Sequence, residues 1–68
     1  MKKTEYKKII NDHIEKEFDI TAFDTSDIDI IAEQLTDEVA AITTVDTDED
    51  RDTLTAAVYE VIKEYLNK

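Results

Sequence analysis

The apolar residues of this chain recur at helical spacing in three separate stretches. Tyr6, Ile9, Ile10, His13, Ile14 and Phe18 fall at three- and four-residue steps, along one face of a helix. Lys7, Lys8, Asp12, Glu15 and Lys16 fill the other side. Ile28, Ile31, Ala32, Leu35, Val39 and Ile42 form a second stripe. Leu54, Val58, Val61, Ile62 and Tyr65 form a third, widened by Tyr59 and Leu66. The spacing predicts helices over about 4–18, 27–43 and 48–66. The polar side of the third helix is narrow: Glu60, Lys63, Glu64 and Asn67. An apolar arc that wide calls for burial on more than one side. The third helix is therefore either the central element or a surface for another chain.

The segments between the stripes carry boundary signals. Residues 19–27, DITAFDTSD, break the helical period, with Ile20 and Phe23 as plugs over the end of the core. Ser26 and Asp29 have the spacing of a capping box, with Asp in place of the usual Glu. Thr43, Thr44 and Val45 are consecutive β-branched residues, weak helix formers that suit a helix end. The expected architecture is one all-α domain over residues 1–68, a small up-down-up three-helix bundle.

Composition supports that choice and removes several functions. The chain has no glycine and no proline. Tight hairpins usually need glycine at positive φ, and phosphate-cradling loops need it for close backbone approach. With no cysteine, disulfides and thiolate metal sites are excluded, which fits a cytoplasmic protein. The lysines of MKKTEYKKIIND precede no apolar leader core, and no run is long enough to cross a bilayer. Ser26 is the single serine and His13 the single histidine, with no spacing suited to a nucleophile and its base. His13 reads as a packing residue of the first helix. A bundle this small leaves little room for a pocket that desolvates a catalytic carboxylate. The reading is a non-enzyme without cofactor or metal.

Charge adds the most specific information. The chain holds 18 acids and 8 bases, a net charge of −10. Residues 1–18 carry five lysines and four acids, and residues 56–68 carry two of each sign. Residues 19–55 carry twelve acids and a single base, Arg51, so the whole imbalance sits there. Such a surface repels nucleic acid and anionic membrane and attracts cationic surfaces. Direct nucleic-acid contact by Lys2, Lys3, Lys7 and Lys8 therefore runs against the overall field. Those lysines suit solvation of the first helix and pairing with acids on a neighbour.

The densest acids lie in VDTDEDRDTLTAAV, residues 45–58. A calcium-binding EF-hand loop needs oxygens at positions one, three and five, glycine at six and a bidentate Glu at twelve. Starting at Asp46, the first three ligands are present, but position six is Arg51 and position twelve is Ala57. Starting at Asp48, those places hold Thr53 and Tyr59. The stretch fits a helix start better. Thr47 with Asp50 forms a capping pair, and acids in a first turn complement the helix dipole by about 0.3–1 kcal/mol each. Two or three acids would suffice for that, and this stretch has more.

On the second helix Asp29, Glu33 and Asp37 are four apart and make one ridge, with Glu38 beside it. Asp19, Asp24 and Asp27 add charge at one end, and Asp46, Asp48, Glu49, Asp50 and Asp52 at the other. The acids then run as a band along the bundle. In size, all-helical character and acidity the chain looks like the small DNA-mimic inhibitors of phages and mobile elements, including anti-restriction and anti-CRISPR proteins. The resemblance is one of bulk properties. It implies a partner with a basic, nucleic-acid-binding groove, contacted through Asp29, Glu33, Asp37, Asp46, Asp48, Glu49, Asp50 and Asp52. The alternative is an assembly module or small regulatory subunit. It would self-associate as a homodimer, or bind a partner, through Tyr59, Ile62 and Leu66.

Overall fold

A computed structural model of the chain describes residues 2–18 and 25–67. Asp19, Ile20, Phe23 and Asp24, read above as loop acids and core plugs, lie outside the described residues. Three α-helices make the expected small all-α bundle: α1, Lys3–Glu17; α2, Ile28–Ile42; and α3, Asp48–Leu66. A single 3-10 turn, Thr25–Asp27, leads into α2. These bounds lie within one residue of the ranges predicted from spacing.

Each helix buries one stripe. α1 buries Tyr6, Ile10, His13 and Ile14, α2 buries Ile31, Ala32, Leu35, Thr36 and Val39, and α3 buries Leu54, Ala57, Val58, Val61 and Ile62. Each fully buried Ile, Leu or Val among these contributes about 1.5–3 kcal/mol of transfer free energy. α3 is the hub, packing against both other helices, while α1 and α2 touch each other little. The wide arc of α3 is therefore absorbed inside the chain. Ile62 is 0% exposed, which removes it from any surface open to a second chain. Tyr59, Tyr65 and Leu66 are half-buried and pack against the same core.

The helix ends follow from a chain without glycine. Among the described residues none has positive φ. α1 and α2 instead end on residues in extended conformation, Phe18 and Thr43, and the Thr43 N–H still donates to the Val39 carbonyl at 3.0 Å. Val45 packs on the core and anchors the connection to α3. Thr47 caps α3, its Oγ1 accepting from the Asp50 N–H at 3.1 Å, as the spacing predicted. The N-cap position of α2 is Asp27, one residue beyond Ser26, and the Asp29 carboxylate accepts from Tyr59 of α3.

Two links between helices set the register of the acidic region. The Tyr59 hydroxyl donates to Asp29 Oδ1 at 2.9 Å, and Arg51 Nη2 lies 3.5 Å from Asp37 Oδ1. Residues advancing along α2 thus meet residues receding along α3, so the two helices are antiparallel. α1 is clipped to the second half of α3 by Lys3–Glu60 at 2.7 Å and Lys7–Glu64 at 3.2 Å. Near its end His13 meets α2, with Nε2 3.0 Å from Glu38 Oε1 and Nδ1 3.3 Å from Glu17 Oε2.

The same register explains an error of the stripe. Ile42 continues the spacing of Leu35 and Val39, yet it is 59% exposed. In the antiparallel alignment, position 42 falls opposite position 46, before α3 begins at Asp48. No helical face stands there to cover it.

The acidic cleft between two helices

Antiparallel packing brings two rows of side chains face to face. On α2 the row is Asp29, Glu33 and Asp37; on α3 it is Arg51, Thr55 and Tyr59. Both rows step by four residues, about 6 Å per step along a helix axis. The rows bound a cleft of about 330 Å³, floored by Ala32 and Thr36. Its opposing positions pair like rungs. Asp29 with Tyr59 closes one end and Asp37 with Arg51 closes the other.

The middle rung is different. Glu33 is exposed and makes no hydrogen bond or ion pair among the described residues. The Thr55 hydroxyl opposite is committed to its own helix, donating to the Arg51 carbonyl at 2.8 Å. The Thr36 side chain lines the cleft although the residue is only 6% exposed. Its hydroxyl has no hydrogen-bond partner among the described residues. Three carboxylates share the cleft with one guanidinium.

The Tyr59 phenol is held above its ordinary pKa, first by the hydrogen bond it donates to Asp29, then by desolvation and by the Asp29 charge. It therefore stays a neutral donor at physiological pH. Glu60, on the other side of α3, is held below the usual carboxylate range, chiefly by the hydrogen bond from Lys3. Lys3 and Lys7 are thus occupied with acids of a neighbour, as their placement suggested.

The acids at the start of α3 lie beyond the Arg51 end of the cleft. Asp46, Asp48, Glu49 and Asp52 are exposed and Asp50 is half-buried. Asp48, Glu49 and Asp50 occupy the first turn, where unpaired N–H groups and the helix dipole favour negative charge. No cation pairs with Asp46, Asp48, Glu49 or Asp52 among the described residues. Beneath this end lies Tyr6, 0% exposed, whose hydroxyl has no hydrogen-bond partner among the described residues. Burial raises its pKa, and the charges of Asp50, Asp46 and Glu5 add to the effect. Among the described residues no group of three or more His, Asp or Glu side chains is placed to hold a metal ion. None of the described helices is long and apolar enough to cross a membrane.

The ridge read from the sequence and the acids of α3 are thus neighbours, joined through Arg51. Tyr59, assigned above to an apolar interface, belongs to the acidic cleft, and Leu66 packs at the rim of the core. Thr36 and Thr55 carried no signal as cleft residues. The four-residue step from Arg51 through Thr55 to Tyr59 was visible, but which row it faces depends on the register between helices. No family model, curated protein or solved structure matches this chain.

Proposed function

We propose that this chain is a small interaction protein, an inhibitor whose acidic face occupies a basic groove on a partner in place of nucleic acid. One observation carries the reading. Outside the acidic face Glu60, Glu64 and Asp12 are matched with lysines inside the chain, whereas Glu33, Asp46, Asp48, Glu49 and Asp52 on it meet no cation among the described residues. Lys3 reaches Glu60, Lys7 reaches Glu64 and Lys16 reaches Asp12. Along the α2 ridge and the start of α3, Arg51 is the sole base and reaches Asp37. Uncompensated charge of one sign steers a cationic partner and fixes its orientation. A nucleic-acid-binding groove is such a surface, and the cytoplasm is where the two would meet.

The test is a pull-down from lysate of the organism of origin, washed with rising salt and challenged with duplex DNA. A nucleic-acid-binding protein should be retained at low salt, leave as salt rises and be displaced by DNA. Paired changes such as Asp48→Asn with Asp52→Asn should weaken retention without unfolding the bait. A partner that resists high salt and ignores DNA would refute the reading and favour association through the half-buried Tyr59 and Leu66.

A further inference from the structure

Resting on that reading and narrowing it, we infer that the middle rung of the α2–α3 cleft receives the guanidinium of an arginine side chain presented by the partner protein. Both end rungs are closed within the chain, by Tyr59 on Asp29 and by Arg51 on Asp37. Between them Glu33 offers two carboxylate oxygens with no donor among the described residues. Below it Thr36 lines the same space, a residue more than nine-tenths buried whose hydroxyl makes no hydrogen bond among the described residues. The neighbouring threonines of α3 show the contrast. Thr53 and Thr55 donate back to the Glu49 and Arg51 carbonyls, at 3.0 and 2.8 Å. The open Glu33 carboxylate above a hydroxyl without a protein partner offers adjacent acceptors to a donor group from outside.

The chemistry of the walls selects the donor. The cleft is negative, with three carboxylates to one guanidinium. At about 330 Å³ it has the size of a small ligand site, suited to one side-chain head and not to a helix. A guanidinium is planar, donates several N–H groups at fixed angles and stacks on aromatic rings. An ammonium is a compact, strongly hydrated point charge. Acceptors spread over Glu33 and Thr36, with the Tyr59 ring as one wall, match the first. Arg51 on Asp37 shows that the end of the cleft already accommodates such a head.

The experiment is an amide NMR titration of the full chain with capped tri-arginine and capped tri-lysine peptides at low salt. Tri-arginine should bind saturably and more tightly than tri-lysine, with the largest shifts at Glu33, Thr36 and Tyr59. Glu33→Gln should weaken tri-arginine about tenfold, the factor of one charge-assisted hydrogen bond. Thr36→Val should weaken it further. Repeated at about 0.15 M salt, where distant charges are screened, Asp48→Asn with Asp52→Asn, outside the cleft, should change the affinity by less than about twofold. If binding is salt-dependent but centred on residues 46–52 and indifferent to Glu33→Gln, the cleft inference is overturned and the acidic-face reading stands. If neither peptide binds at low salt, both are overturned.

Discussion

Replacing Tyr6 by Phe should leave the protein as stable or make it more stable. Tyr6 is 0% exposed, and its hydroxyl has no hydrogen-bond partner among the described residues. Desolvating a hydroxyl without a compensating bond costs about 1–3 kcal/mol in protein mutational data. Phe keeps the ring and its packing against α3. It leaves at most a void the size of one oxygen, worth roughly a few tenths of a kcal/mol at about 24 cal/mol per Å³. The balance lies between no change and a gain of about 2 kcal/mol. For a domain of this size each kcal/mol moves Tm by about 4–8 °C. Urea and thermal melts followed by circular dichroism measure this directly, with Tyr6→Ala as the control that should lose about 3–5 kcal/mol with the ring.

A loss of more than about 1 kcal/mol in Tyr6→Phe would refute the reasoning, since that is the net worth of a satisfied hydrogen bond. The hydroxyl would then be donating, and Asp50 and Asp46 are the acceptors its raised pKa places near it. A double-mutant cycle with Asp50→Asn would decide between an orphaned hydroxyl and a donor to Asp50.

Ile62→Ala should cost about 2–5 kcal/mol, because the side chain is fully buried at the hub of the bundle; a folded, equally stable variant that loses self-association would show that α3 presents an interface instead. Thr47→Ala should cost about 0.5–2 kcal/mol by removing the cap of α3, read as a lower urea midpoint, and an unchanged midpoint would mean the first-turn acids hold that helix end alone. Both Tyr6 and Tyr59 have pKa values raised in the folded state, so the stability they contribute is complete below the unfolded phenol pKa of about 10 and is lost as pH rises through the folded values. Phenolate absorbance during an alkaline titration should therefore lag behind that of the unfolded chain in urea, and coincident curves would contradict the placement of both hydroxyls.

The helices were legible because their stripes obey one rule, that residues three and four apart share a face. The residues that escaped obey others. Thr36 is too polar to be counted as core from spacing alone, and Ala57 flanks the stripe of larger residues on α3, yet both are buried. Ile42 was overcounted because the period says nothing about where the facing helix begins. Tyr59 was given to an apolar arc because its ring is apolar. Its ring does pack on the core, while its hydroxyl reaches across to Asp29. The cleft depends on a register between helices, which packing sets and a one-dimensional pattern does not carry.

The placement of the acids bears on stability as well as on binding. Carboxylates clipped to α1 relieve their own charge on folding. Those at the start of α3 relieve part of theirs through the helix dipole, by about 0.3–1 kcal/mol each at low ionic strength. Crowding Asp46, Asp48, Glu49, Asp50 and Asp52 into residues 46–52 returns some of that gain as mutual repulsion. Folding therefore leaves an electrostatic cost that Arg51 alone does not remove. A cationic partner lowers that cost on docking, in addition to the contacts it makes. The acidic face is thus less stable by itself than it would be with fewer acids and gains more from a basic surface than a neutral face would. The same argument makes neutralising exchanges there harmless or favourable to the isolated fold while they weaken its association.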